Sequence, residues 1–208
     1  MKERPILFSG PMVRALLAGT KTQTRRFANK PVKHPDLGNL YTHGALVLEN
    51  EPQHVIERAC PYGRPGDRLW VRETWNWFDP AEIPADRRGM RAPFTGCQGP
   101  RTIEWVAGYQ ADGPLNHPSD GAKCLWRPSI HMPRWACRIL LEIVSVRIER
   151  LNEINRGDAM AEGCPFQNMV QGDDPRAWYA DLWEEINGAG SWSANPWVWV
   201  VEFKRVEA

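Results

Sequence analysis

Apolar and polar residues alternate along several short stretches of the chain, and this period-two pattern predicts β-strands. In residues 68–73, for example, Leu69 and Val71 lie between polar neighbours, as in a half-buried strand. Two other stretches have apolar residues at helical spacing, each with a glycine where the helix should end. The pattern predicts strands at 4–8, 68–73, 103–109, 137–150 and 197–203, and helices at 11–19 and 175–187.

The longest predicted strand, residues 137–150, changes its inward face part-way along. Its apolar residues alternate in two sets, first Ile139, Leu141 and Ile143, then Val144, Val146 and Ile148. A strand that switches faces usually carries a bulge or bends around a barrel corner. Together with short helices and a closing strand that is apolar on both faces, this predicts an α+β fold built on a small β-barrel.

Two stretches between the predicted elements lack a clear period. Residues 28–66 are irregular, with one predicted strand at 45–48. Residues 79–133 are rich in glycine and proline, and 103–109 is the only clear strand within them. Because 208 residues fit one domain with room for insertions, we expect a single domain over 1–208 with insertions at about 28–62 and 76–136.

The charge balance argues against one class of partner. The chain has 26 basic and 25 acidic residues, a net charge of +1. Proteins that clamp long nucleic acids usually carry a clear basic excess, because they must neutralise phosphates. We therefore expect a small ligand or a short local contact. No stretch has the ~18 apolar residues of a membrane span, and the first ten residues lack a signal-peptide pattern, so we expect a cytoplasmic protein with no membrane partner.

The cysteines and histidines do not have the spacing of a metal site. The five cysteines include no CxxC pair, and no HExxH pattern accompanies them. An odd number of cysteines without an export signal is typical of reduced thiols. We therefore predict no metal and no cofactor.

Four segments carry the remaining polar signals, in a fixed order along the chain. They are KTQTRR (21–26) after the first helix, GDRLWVR (66–72), AEG (161–163) after the longest strand, and VVEF (200–203) at the end. This order resembles the ASCH domain of the PUA-like β-barrel superfamily. Residues 16–26 are similar to the bacterial N(4)-acetylcytidine amidohydrolases, whereas the length and the tryptophan-rich insertions are more similar to larger ASCH proteins of phage and prophage.

The resemblance implies an activity and a set of site residues. The activity is metal-independent removal of the acyl group from an N(4)-acylated cytosine or cytidine. The implied catalytic residues are Lys21, Thr24 and Glu162. In the implied mechanism the threonine attacks the amide carbonyl, the lysine activates the threonine, and the carboxyl group assists proton transfer.

Four further residues are candidates for substrate binding, and they are Arg26, Trp70, Arg72 and Glu73. For Trp70 and Arg72 the competing interpretation is packing and turn formation. Glu73 is also a candidate substitute for Glu162, because it ends a predicted strand near the expected barrel mouth.

The proposed chemistry places a demand on Lys21. Threonine is a weak nucleophile and needs a base beside it. Lysine is a base only when neutral, so its pKa must fall from about 10.4 toward about 7 to 8. Burial and the nearby Arg25 and Arg26 would lower this pKa, whereas a touching Glu162 carboxylate would raise it.

The spacing of the KTQTRR segment adds a second constraint. In a regular strand Lys21 and Thr24 point to opposite faces, while Thr22 and Thr24 share one. Either the chain turns between Lys21 and Thr24, or Lys21 lies before the strand begins. Otherwise Thr22 is the competing nucleophile.

Two other functions compete with hydrolysis. The first is an RNA-binding or RNA-cleaving module, in which Arg25, Arg26, Arg68 and Arg72 contact the phosphates of a short RNA and binding weakens with salt. The second is a phage assembly or host-interaction protein that uses the fold only as a scaffold.

Overall fold

The computed structural model describes residues 1–98, 101–115, 125–166 and 174–207. The strands are β1 (Glu3–Leu7), β2 (Gln23–Phe27), β3 (Val32–Lys33), β4 (Leu40–Tyr41), β5 (Arg68–Arg72), β6 (Trp75–Phe78), β7 (Arg91–Gln98), β8 (Arg101–Tyr109), β9 (Leu140–Arg150) and β10 (Trp197–Val206). The helices are α1 (Gly10–Leu17), α2 (His43–Leu48), α3 (Gln53–Ala59), α4 (Arg156–Ala161) and α5 (Pro175–Asn187).

The strands form three sheets, so the fold is α+β as predicted. The largest sheet has five strands in the order β1-β5-β9-β10-β2, and the smaller ones have the orders β3-β4 and β6-β8-β7. Among the residues that the structure describes, none of the three sheets closes on itself. The small barrel therefore stays a prediction.

The strongest periodic patterns are confirmed as elements. The strand predicted at 68–73 is β5, the longest strand is β9, and the closing apolar strand is β10. Helix α5 begins after its N-cap Asp174, whose side chain accepts a hydrogen bond from the Arg176 N–H, and ends at Gly188. Both ends of this helix match the capping residues in the sequence.

Two predictions in the loop-rich stretches are wrong. The segment 45–48 is part of helix α2, because the Thr42 side chain accepts a hydrogen bond from the Ala45 N–H and caps the first turn. Short apolar runs are compatible with both a strand and a buried helix, and here the cap decides. The second error is that 103–109 is not the only strand in its region, since β7 pairs with β8 in an antiparallel hairpin.

The chain divides into two compact units. The first comprises Met1–Arg4, Ala18–Arg68 and Glu142–Arg205, and the second comprises Pro5–Leu17, Leu69–Leu141 and Val206–Ala208. No helix among the described residues is long and apolar enough to cross a membrane.

The core of the first unit packs α4 and α5 beside β10. Tyr179 and Trp183 of α5 are buried with Val198 and Val200 of β10, and Ala159 of α4 lies in the same cluster. This packing sets the position of α4, which also contacts β2. The ends of β2 and α4 are consequently brought together within one unit.

The burial of β9 shows the predicted change of inward face. Ile143 is buried, whereas Val144 is 52 % exposed. Val146 and Ile148 are buried, so the buried positions change from odd-numbered residues such as Ile143 to even-numbered residues. The switch therefore falls between Ile143 and Val146, with Val144 outside rather than inside.

The core of the second unit is aromatic. Trp75 is buried with Tyr109 and Met132, and its ring meets the rings of Trp77 and Trp135 edge-on, with centroids 5.6 and 5.5 Å apart. Such edge-to-face pairs add to the free energy gained by burying the rings. These tryptophans therefore pack the core of the second unit.

Candidate active site

The segment that precedes β2 is held against the end of α4. Lys21 lies two residues before the strand and forms an isolated antiparallel bridge with Glu162. The Thr22 N–H donates to the Ala161 carbonyl at 2.8 Å, and the Thr22 carbonyl accepts from the Phe203 N–H at 2.9 Å. Of the two alternatives that the spacing allowed, Lys21 before the strand is therefore the one observed.

Glu162 directly follows the last residue of helix α4. The Asn155 side chain caps the first turn by accepting from the Asp158 N–H, and the Asp158 carboxylate accepts from the Asn155 N–H in return. Glu162 is the C-cap, and Gly163 follows with φ = 96°. That left-handed conformation suits glycine and ends the helix directly after Glu162.

Lys21 and Glu162 form a buried ion pair. The Lys21 Nζ donates to Glu162 Oε2 at 2.8 Å and to the Glu162 backbone carbonyl at 2.8 Å. The two side chains are only 0 % and 2 % exposed. Burial holds the pKa of Lys21 below its ordinary value of 10.5, and the neighbouring Arg26 and Arg25 act in the same direction, although Glu162 opposes them.

Arg25 shares the same carboxylate. Its Nη1 lies 3.3 Å from Glu162 Oε1, while its Nη2 donates to Glu149 and lies 3.2 Å from Asp158 Oδ2. The Arg25 side chain is fully buried. One guanidinium therefore contacts three carboxylates, and one of these carboxylates also holds Lys21.

A second arginine extends this network toward the surface. Arg147 contacts Glu149 at 2.9 Å, Asp158 at 3.1 Å and Glu202. None of the described contacts of Arg147 is with Glu162, and its side chain is 32 % exposed. Arg147 therefore shares two carboxylates with Arg25 but does not reach the Lys21 pair.

Thr24 lies on the other face of β2 from this cluster. Gln23 and Arg25 point toward Asp158, and strand alternation turns the Thr24 side chain away from them. Thr24 is 2 % exposed and pairs with Val201 of β10. Among the described residues no hydrogen bond joins its hydroxyl to Lys21. The structure thus brings Lys21 and Glu162 together but does not bring Thr24 into contact with them.

Thr22, the competing nucleophile, is exposed and lies in a groove. The groove has a volume of about 340 Å³ and is lined by Thr22, Gln23, Val144, Asp158, Ala161, Glu202 and Phe203. A volume of this size is at the lower end of the range for small-molecule sites. The groove lies beside the backbone that carries Lys21 and Glu162.

The predicted binding residues divide between the units. Arg26 is half-buried in β2, pairs with Trp199, and contributes to the lowered pKa of Lys21. In the second unit the Arg72 guanidinium lies 5.2 Å from the centre of the Trp70 ring and donates to the Met132 and Ile130 carbonyls. These contacts of Arg72 are with the backbone of its own unit.

Glu73 of the second unit forms a separate buried ion pair. Arg138 donates to its two carboxylate oxygens through Nε and Nη2, both at 2.9 Å. Burial raises the pKa of Glu73 above its ordinary value of 4.5, although Arg138 opposes this. Arg138 also contacts Asp112 at 2.8 Å, and its guanidinium lies 3.9 Å from the centre of the Tyr109 ring.

This chain matches no family model, no curated protein and no solved structure. Within the described part of the chain, no group of three or more histidine, cysteine or acidic side chains is arranged to hold a metal ion. Of the five cysteines, Cys60, Cys137 and Cys164 are buried and form no disulfide bond, and Cys124 lies outside the described residues.

Sequence reasoning missed part of this site. It treated Arg25 as a nearby positive charge or as a contact for RNA phosphates, and it did not place Glu149 or Asp158 in the site. A pairing of residues 124 apart is not visible in a single sequence.

Proposed function

We propose that this chain is an amidohydrolase that removes the acyl group from an N(4)-acylated cytosine or cytidine, using protein side chains and no metal. The proposal includes membership of the ASCH group and the small PUA-like barrel that the ordered segments resemble. The observation that carries it is the fully buried Lys21–Glu162 pair, since such a pair in a hydrolase supplies both a base and a group that positions it.

In the proposed reaction the Thr24 hydroxyl is the nucleophile. Neutral Lys21 accepts its proton as the threonine oxygen attacks the amide carbonyl carbon. The tetrahedral intermediate collapses, the carbon–nitrogen bond breaks, and protonated Lys21 returns the proton to the exocyclic nitrogen of the leaving cytosine. Water then hydrolyses the acyl-threonine ester by the same route, releasing the carboxylic acid. Glu162 holds the lysine in place until the substrate binds.

The closed geometry implies that substrate completes the site. Lys21 is bound to the Glu162 carbonyl and carboxylate, so its Nζ must turn toward the threonine hydroxyl before it can accept a proton. Catalytic hydrogen bonds often form only in the substrate complex. The groove beside Thr22 offers the approach to this segment. We propose that the substrate enters there and displaces the lysine from Glu162.

The test is the ultraviolet spectrum of N(4)-acetylcytidine incubated with the purified 208-residue chain. Conversion to cytidine is expected, and it should disappear in Lys21→Met. Lys204→Met is a matched control, because Lys204 is an exposed lysine paired with Glu142. A folded wild-type protein that leaves the compound intact would refute the proposal and shift attention to the RNA interpretation, which a salt-dependent RNA-binding assay would then decide.

A further inference from the structure

The proposed reaction leaves one buried charge without a role. Arg25 contacts Glu162 on one side and Glu149 and Asp158 on the other, and its side chain is fully buried. An arginine stays charged at every working pH. Of the two cations on Glu162, only Lys21 can give up its proton.

The position of Arg25 determines whether the Glu162 carboxylate keeps a positive partner when Lys21 loses its proton. If Glu162 had Lys21 as its only cation, a neutral lysine would leave a buried carboxylate with no counter-ion, which is costly. With Arg25 3.3 Å from the other carboxylate oxygen, an arginine–glutamate pair remains. The neutral lysine is therefore compatible with burial of Glu162.

We propose that Arg25 is a positioning residue that keeps the Glu162 carboxylate paired and thereby allows Lys21 to act as a neutral base. This inference rests on the proposed function for its catalytic consequence, but the effect on Lys21 itself is independent of any substrate. Glu149 and Asp158 hold the guanidinium in place, since they contact the Nη2 atom that Glu162 does not use.

The other groups around this cluster do not offer an equivalent role. Arg26 lowers the pKa of Lys21 through its charge. The Tyr179 ring lies 6.0 Å from the Arg25 guanidinium, and burial raises the pKa of Tyr179 well above its ordinary value of 10.0, so the phenol stays neutral. Arg147 meets Glu149 and Asp158, but none of its described contacts is with Glu162.

The first experiment is the pH profile of N(4)-acetylcytidine hydrolysis. In Arg25→Gln the acid limb should move to higher pH, with about tenfold less activity at pH 7 and recovery at higher pH. Arg25→Lys keeps the charge and should restore most of the wild-type profile. Arg147→Gln is the matched control, and its profile should not move. A purely structural role for Arg25 would lower activity equally at every pH.

The second experiment measures Lys21 directly, without substrate. The chain has six lysines, so the side-chain nitrogen signal of Lys21 can be assigned by NMR with Lys21→Met and followed through a pH titration. Arg25→Gln should raise the pH at which Lys21 loses its proton. An unchanged titration midpoint would overturn the proposal. A shifted midpoint in a protein without hydrolytic activity would support the role of Arg25 and refute the amidohydrolase.

A third variant covers the case in which Arg25→Gln does not fold. The double substitution Arg25→Gln with Glu149→Gln removes one positive and one negative charge together, so it leaves fewer buried charges unpaired. The same rise in the Lys21 midpoint is expected in this protein, with Glu149→Gln alone as its control. No rise relative to that control would overturn the proposal.

Discussion

Among the described residues, each unit contains a buried glutamate held by arginine, and the two glutamates differ in how the positive charge around them is divided. In the second unit Glu73 receives both of its charge-assisted hydrogen bonds from Arg138, in the two-pronged geometry that arginine and carboxylate favour. In the first unit Glu162 is shared between Arg25 and Lys21, one on each oxygen.

The difference separates a structural ion pair from one that can do chemistry. The Glu73–Arg138 pair contains no cation that can lose its proton. Burial would lower the pKa of Arg138, but the hydrogen bonds that Arg138 makes to Glu73 and Asp112 outweigh burial and raise this already high pKa further. The Glu162 cluster contains Lys21, whose pKa burial lowers. A buried ion pair is thus a stronger sign of catalysis when one cation is a lysine and a second cation remains after proton transfer.

The largest expected effect is the difference in hydrolysis rate between a Lys21 variant and a Glu73 variant. Lys21→Met should lower the rate of N(4)-acetylcytidine hydrolysis by about 10⁴-fold, because it removes the base. Glu73→Gln, which removes an equally buried charge in the other unit, should change the rate less than about threefold. Initial rates measured by ultraviolet absorbance on folded proteins decide the matter. Equal losses in the two variants would mean that both clusters act only through stability.

The next effect separates the two threonines of the KTQTRR segment. Thr24→Val removes the proposed nucleophile with little change in volume, and hydrolysis should fall by about 10³-fold. Thr22→Val alters an exposed residue and should leave the chemical step intact. Rate constants from single-turnover reactions with excess enzyme measure that step. The reverse result would identify Thr22, on the groove, as the nucleophile.

How much of the fold could be predicted from the sequence depends on how far apart in the chain the interacting residues lie. Strands β5, β9 and β10 and the helix capped by Asp174 follow from patterns of a few residues. The segment 45–48 was misassigned because its apolar run fits two structures, and the Thr42 cap lies outside the run. Local patterns therefore predict a helix or strand best where capping residues also mark its ends.

The site was predictable only in part. The resemblance selected Lys21 and Glu162, which the structure places 2.8 Å apart although they are 141 residues apart in the chain. The burial of Arg25 was not predictable, because an arginine in a TxTRR run looks like the outward face of a strand. Its burial depends on carboxylates from β9 and α4, and such distant pairing leaves no period in the sequence.

A smaller effect compares the stability that each cluster provides. Arg138→Met should lower the free energy of unfolding by about 3–5 kcal/mol, because it leaves the buried Glu73 without a partner. Lys21→Met should change it by less than about 1 kcal/mol, since Glu162 keeps Arg25 and methionine fills a similar volume. Urea unfolding followed by tryptophan fluorescence measures both. An equal loss in Lys21→Met would show that Arg25 alone cannot satisfy Glu162.

The smallest effect is the response of the two clusters to acid, which should have opposite signs. Burial alone would raise the pKa of Asp158, but Arg25 and the Asn155 N–H outweigh it and hold the pKa below its ordinary value of 3.8. A carboxylate with a depressed pKa contributes stability above that ordinary value and loses it as the pH falls through the folded-state pKa. Glu73 has a raised pKa, so its contribution is present below 4.5 and is lost as the pH rises.

Hydrogen exchange at pH 6 and pH 3 can resolve this difference, after correction for the intrinsic exchange rates. The amides of α4 should lose a few-fold in protection at pH 3, because an opened α4, in which Asp158 has its ordinary pKa, takes up a proton more readily than the folded helix does. The amides of β8 beside Glu73 should keep or gain protection, because the contribution of Glu73 is larger at pH 3 than at pH 6. Asp158→Asn should remove the pH dependence in α4, while Glu104→Gln, which alters an exposed carboxylate, should not. If α4 kept its protection at pH 3 in the wild type, the Arg25 cluster would owe its stability to packing against Tyr179 rather than to charge.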